Sequence, residues 1–123
     1  MTGYIATRIA TNTVEWPADE PIAPERIIQG APVASTLVLQ DTPTHQLGLW
    51  RVTPGEFVTD HSGYVEYVHV LGGAGQLIDD DGTVTELTEG TTVLMQPGWK
   101  GRWRVVETIS KVFTVIYTDK ESA

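Results

Sequence analysis

His61 and Glu66 are two side chains of this sequence that could carry out acid–base or metal chemistry. The chain has no cysteine, so any catalysis must use histidine, carboxylate, hydroxyl, lysine or a metal ion. Imidazole and carboxylate are suitable ligands for iron, manganese, nickel or zinc. Two protein ligands make a weak metal site, however. The alternative is that both side chains are polar contacts, with Glu66 held by hydrogen bonds from neighbours such as Gln76.

Tryptophans form a second group of candidates, because aromatic faces bind planar or cationic ligands and the indole donates one hydrogen bond. Trp50, Trp99 and Trp103 could therefore form a ligand-binding platform. For Trp50 and Trp103, packing in the core or at a subunit interface is an equal alternative. Lys100, next to Trp99, could bind a ligand carboxylate or be solvated in a turn.

Short β-rich runs separated by turn signals must position these residues, and this pattern predicts an antiparallel all-β sandwich or barrel. Turn signals include Gly72-Gly73 and Asp81-Gly82, of which the second is the clearest hairpin signal. Eight strands fit a two-sheet jelly roll with a pocket at its open end. The predicted strands are Thr36–Leu39, Gly48–Val52, Val65–Leu71, Ala74–Ile78, Thr83–Leu87, Thr92–Met95, Gly101–Val105 and Lys111–Tyr117.

Both faces of the last predicted strand are largely apolar, so we expect it to be covered on both sides. A second subunit or an N-terminal arm folded across the sheet would provide the outer cover, and we favour a homodimer. Four prolines interrupt the first 35 residues, which predicts an extended arm over residues 1–23 and a barrel domain over residues 24–123. Glu25 to Gln29 could form one short turn of helix.

The net charge and the composition limit the kinds of partner that we expect this protein to bind. A formal net charge of −8 disfavours nucleic acid, because a negative surface repels phosphate backbones. No apolar stretch approaches the roughly 18 residues of a membrane span, and the N-terminus has no secretory-signal pattern. We therefore expect a cytoplasmic protein that contacts neither nucleic acid nor membrane.

Two segments carry a family resemblance. Residues 52–57 and 66–73, Val-Thr-Pro-Gly-Glu-Phe and Glu-Tyr-Val-His-Val-Leu-Gly-Gly, resemble the first cupin motif. Residues 90–103, which end in Trp-Lys-Gly-Arg-Trp, resemble the second motif of the ureidoglycine-aminohydrolase-like small cupins. Residues 24–30 and 110–117 resemble the same branch. The resemblance implies an RmlC-like jelly roll, the cupin double-stranded β-helix.

The same resemblance implies an incomplete metal site. Metal-binding cupins supply two histidines and a glutamate from the first motif and a third histidine from the second. Counting back from Glu66 places His61 at the second histidine and Thr59 at the first; counting forward from Gly55 places His61 at the first and Gly63 at the second. We prefer the first alignment. In both, the second-motif histidine corresponds to Gly101, so only His61 and Glu66 remain.

Three functions follow from these observations. The first is an enzyme of hydrolase, isomerase or cyclase type that is metal-independent or weakly metal-dependent. In it, Glu66, with a pKa raised by burial, acts as acid or base and His61 assists. The second is a non-catalytic module that binds or senses a metabolite with Trp50, Trp99 and Tyr117 around Glu66. The third is a purely structural dimer. No cofactor is expected, apart from the alternative of a divalent Mn, Fe, Ni or Zn ion.

Overall fold

The structure, a computed structural model, describes residues 6–118. The predicted all-β class is confirmed, since these residues form strands joined by turns and one turn of 3-10 helix, Pro24–Arg26. Residues 1–5 of the predicted arm and 119–123 of the predicted barrel domain lie outside the described part. The strands are β1 (Glu20–Pro21), β2 (Ile27–Gln29), β3 (Val33–Asp41), β4 (His45–Val52), β5 (Gly55–Asp60), β6 (Tyr64–Asp79), β7 (Val84–Thr88), β8 (Thr92–Met95) and β9 (Lys100–Tyr117).

Two long bent strands, β6 and β9, connect the two walls of the barrel. The second half of β9 pairs with β4 and with the first half of β6, and β3 and β8 extend this wall. The first half of β9 pairs with β5 and with the second half of β6, and β2 and β7 extend the other wall. All pairings are antiparallel, which is the arrangement of a jelly-roll barrel.

The Gly72-Gly73 signal marks a bulge rather than the turn that we predicted between two strands. Register with β9 shifts at three points between Val70 and Gly75. Gly73 has φ +91°, and a Cβ there would lie 2.1 Å from the Thr108 carbonyl oxygen. The bulge reverses the inward alternation of β6: Glu66, Val68 and Val70 are buried before it, whereas Gly75 and Leu77 are buried after it.

The structure also differs from the prediction in β9, in β5 and in the segment after the helical turn. The predicted strands Gly101–Val105 and Lys111–Tyr117 are one continuous strand, and β5 was not predicted. The helical turn ends at Arg26, earlier than expected, and the following residues Ile27–Gln29 pair with β5 instead. This pairing holds Arg26 against the barrel.

The N-terminal arm covers part of the outer face. Ser35 donates a hydrogen bond to the Pro17 carbonyl oxygen at 2.6 Å, and the Arg51 guanidinium lies 5.1 Å from the Trp16 ring centre. Another part of that face remains exposed. Tyr67 pairs with Leu94 and Thr114, and Tyr67, Leu94 and Ile116 are each about half exposed. The homodimer therefore stays a prediction. The described residues contain no helix long and apolar enough to cross a lipid bilayer.

Candidate functional site

A cavity of about 380 Å³ lies inside the barrel, between the inner faces of β4, β5, β6 and β9. Its lining combines aromatic rings with a small set of polar groups, which is typical of a small-molecule site. The lining residues are Ile22, Arg26, Thr36, Gln46, Trp50, Phe57, Thr59, His61, Tyr64, Glu66, Trp103, Lys111, Phe113, Val115 and Tyr117.

A buried ion pair is the polar centre of this cavity. Lys111 Nζ donates a hydrogen bond to Glu66 Oε2 at 2.7 Å. Glu66 is 7% exposed and Lys111 is 5% exposed. Removing two charges from water costs free energy that only close pairing and further hydrogen bonds offset. Glu66 is therefore held inside the barrel by a polar neighbour, as one alternative had it, but this neighbour is Lys111 rather than Gln76.

Aromatic rings surround the ammonium group of Lys111. Its Nζ lies 4.4 Å from the ring centre of Trp50, its cross-strand partner on β4, and 4.7 Å from that of Trp103. Trp103 in turn stacks on its cross-strand partner Phe57, with 5° between the ring planes. Each ring face attracts the ammonium group electrostatically. Trp50 and Trp103 thus hold the Lys111 ammonium in place.

His61 completes the polar group. Its Nε2 lies 3.5 Å from Glu66 Oε1, and its ring stacks on Tyr64 at 4.7 Å between centres. Burial lowers the pKa of His61 below 6.5, although Glu66 opposes this change and Lys111 adds to it. The imidazole is therefore neutral at pH 7. Burial, with the nearby Glu66 carboxylate, raises the pKa of Tyr64, so its hydroxyl stays protonated.

Five of the predicted site residues line the cavity. They are His61, Trp50, Glu66, Trp103 and Tyr117. Tyr117 lies at the rim, with its hydroxyl oxygen 3.5 Å from Asp41 Oδ1.

The other three predicted ligand-binding residues do not line this cavity. Trp99 packs its edge against the His61 ring at 5.3 Å and donates a hydrogen bond from Nε1 to Asp79 at 2.9 Å, so it contacts His61 from outside the cavity. Gln76 bonds to Glu86 and Arg104 on the outside of the barrel. Lys100 is exposed, with its Nζ 4.0 Å from Asp60 Oδ2.

The residues present do not fit a divalent metal ion. Glu66, the expected carboxylate ligand, already binds the Lys111 ammonium. Thr59 lines the cavity where the preferred alignment has a histidine. At Gly101 even a Cβ would lie 2.4 Å from the Ile78 carbonyl oxygen and 2.7 Å from the Trp99 ring. Within the described residues, no group of three or more His, Asp or Glu side chains could hold a metal ion.

The two cationic residues of the cavity lining, Lys111 and Arg26, were both missed as site candidates. Lys111 had a signal in the sequence, because the period of two places it on the same face of its strand as Phe113, Val115 and Tyr117. Arg26 had none, since its position depends on how the helical turn and β2 fold against β5.

The two-walled antiparallel barrel with this internal cavity defines the chain as a cupin. Residues 39–113 match the family model of the EutQ-like cupin domain, and the chain belongs to that family. A comparison with curated protein sequences finds no significant match. The finer resemblance to ureidoglycine-aminohydrolase-like cupins stays a prediction.

Solved structures with the same fold support the predicted jelly roll, which is confirmed. The Clostridium difficile EutQ protein is 20% identical, with a TM-score of 0.63 over 72% of this chain and 71% of that chain. A protein of unknown function from Pseudomonas syringae pv. tomato is 23% identical, with a TM-score of 0.70 over 80% of this chain and 43% of that chain. Ectoine synthase from P. lautus is 19% identical, with a TM-score of 0.62 over 76% and 69%. At these identities the likeness shows the fold alone.

Proposed function

We propose that the barrel cavity binds a small polar metabolite without a metal ion, and that the Glu66–Lys111 pair is the recognition centre. The observation that carries this proposal is the 2.7 Å contact between Lys111 Nζ and Glu66 Oε2 inside the cavity. The Lys111 ammonium places a positive charge against the Glu66 carboxylate. Without this lysine, the carboxylate would be available to bind a metal ion.

A buried ion pair contributes little to stability compared with apolar residues of the same volume. Stability alone therefore does not explain why Glu66 and Lys111 occupy the cavity lining. Glu66 can accept a hydrogen bond from a ligand hydroxyl or amino group, and the remaining Lys111 protons can be donated to a ligand oxygen. A ligand with a donor next to an acceptor would satisfy both.

A second candidate is a metal-independent enzyme, which is favoured by the convergence of Glu66, Lys111 and the neutral His61 in one cavity. Such clusters of titratable groups are frequent at catalytic sites. Here Glu66 would accept a proton from the substrate and the Lys111 ammonium would stabilise the negative charge that develops. His61 would position Glu66.

The test is a calorimetric screen of small hydroxy and amino metabolites against EDTA-treated protein. The double variant Glu66→Gln/Lys111→Met removes both charges together and should abolish binding. The matched control is Glu56→Gln/Arg102→Met, because that ion pair, at 2.6 Å, lies outside the cavity. Binding that the first double variant leaves intact, or that requires added metal, would refute the proposal. If Glu66→Gln alone keeps binding but loses turnover, the enzyme is favoured over the module.

A further inference from the structure

Arg26 lies at the mouth of the cavity in a defined orientation. Its Nε donates a hydrogen bond to the Val58 carbonyl oxygen at 3.0 Å, and its guanidinium carbon lies 5.4 Å from the Phe57 ring centre. These two contacts fix the orientation of the side chain, and Nε is the only guanidinium nitrogen that they use as a hydrogen-bond donor. Its two terminal nitrogens have no hydrogen-bond partner among the described residues.

The charges of the cavity lining do not cancel. Glu66 offsets Lys111, His61 is neutral, and Arg26 remains as a positive charge. Within residues 6–118, Arg26 forms no ion pair with a carboxylate, whereas Arg51, Lys100, Arg102 and Arg104 each do. The lining side chains thus carry one net positive charge in a protein of formal net charge −8, which favours an anionic ligand.

We infer that the ligand is a small carboxylate that also bears a hydroxyl or amino group. Its carboxylate would bind the terminal nitrogens of Arg26 at the mouth, and its hydroxyl or amino group would bind the Glu66–Lys111 pair inside. A planar guanidinium matches a carboxylate with two parallel hydrogen bonds. The cavity volume of about 380 Å³ limits the ligand to a small molecule.

This inference rests on the proposed function, so its test uses matched acids and amides. The probes are lactate and lactamide, 3-hydroxybenzoate and 3-hydroxybenzamide, and inorganic phosphate, titrated at low salt in EDTA. At least one acid should bind about tenfold or more tightly than its amide, because hydrogen bonds to charged groups are the strong ones. Arg26→Gln should remove that preference, and Arg26→Lys should restore only part of it. Arg51→Gln, an exterior arginine paired with Asp19, should change nothing.

The outcomes separate the two proposals. Amides that bind as well as acids, with binding lost in Glu66→Gln/Lys111→Met, would overturn the carboxylate and keep the binding pocket. Acid binding that Arg26→Gln leaves unchanged would also overturn the role of Arg26. Phosphate binding tighter than that of every acid would replace the carboxylate by a phosphate. Failure of all probes to bind would count against both proposals.

Discussion

Lys111 on β9 and Glu66 on β6 form an ion pair although they are not cross-strand partners. Their positions along the two paired strands differ by four residues. The cross-strand partner of Lys111 is Val70, and that of Glu66 is Val115. The two side chains therefore reach toward each other along the inner face of the sheet, and their meeting depends on the register between β6 and β9. Trp50, directly opposite Lys111 on β4, supports the lysine from the other side.

Removing one charge of this pair should destabilise the protein far more than removing both. Lys111→Met leaves Glu66 buried without its partner, and we expect a loss of about 3–5 kcal/mol in the free energy of unfolding. Glu66→Gln/Lys111→Met should recover most of that loss. Urea unfolding of the three proteins measures both. A double variant as unstable as the single one would show that the pair is not coupled.

Protein purified without chelator or affinity tag should contain substoichiometric metal. Added Mn, Fe, Ni or Zn should leave its thermal unfolding midpoint unchanged, because a ligand that binds only the folded state raises that midpoint. Elemental analysis per subunit, repeated on Glu66→Gln, is the measurement. Near-stoichiometric metal that disappears in the variant would contradict the assignment of Lys111 as the partner of Glu66.

Acid should weaken the fold through His61. Since burial lowers its pKa in the folded protein, the unfolded chain binds the proton first as the pH falls below about 6.5. The stability that the neutral His61 contributes is complete above that pH. It is lost as the pH falls toward the pKa of His61 in the folded protein. The loss is about 1.4 kcal/mol for each pH unit that separates the pKa of the unfolded chain from that of the folded protein.

Unfolding free energies of the wild type and His61→Phe between pH 5 and 8 test this effect. The variant should lack this part of the pH dependence, and the control His45→Asn, at the start of β4, should retain it. Parallel pH profiles for the wild type and His61→Phe would contradict the prediction.

Gly73→Ala should be much more damaging than Gly82→Ala, although the two glycines have nearly the same φ. A Cβ at Gly73 would lie 2.1 Å from a backbone oxygen, whereas a Cβ at Gly82 would meet nothing within 4 Å. We expect about 1–2 kcal/mol of backbone strain at Gly82, and a further 1–3 kcal/mol or so from overpacking at Gly73. Thermal or urea unfolding gives both values, and equal losses would show that the bulge relaxes freely.

The exposed apolar face around Tyr67 and Leu94 should mediate the predicted homodimer. Leu94→Asp should shift the protein to a monomer in sedimentation at micromolar concentration, because a charge in an apolar interface is costly. Val106→Asp is the matched control, since Val106 is also exposed but lies on the β9 segment at the bulge. A wild type that sediments as a monomer would refute the dimer.

The sequence predicted the barrel and five of the fifteen residues that line the cavity, because strand alternation and the motif containing Glu66 are local features. It did not predict the partner of Glu66, because the contact with Lys111 joins residues 45 positions apart. Gln76 was misplaced for a related reason. Residues 66 and 76 are both even-numbered, so unbroken alternation would place them on one face, but the bulge at Gly72-Gly73 separates them. Arg26 depends on tertiary packing of the chain before the barrel.

The bulge also implies a constraint on the backbone path of β6. If β6 alternated without a break through the same number of residues, Leu77 would face solvent and Gln76 would face the core, while every cavity residue stayed in the sequence. Redesigned or recombined versions of this barrel should therefore tolerate changes of residue type at Leu71 more readily than the loss of the irregular backbone between Val70 and Gly75.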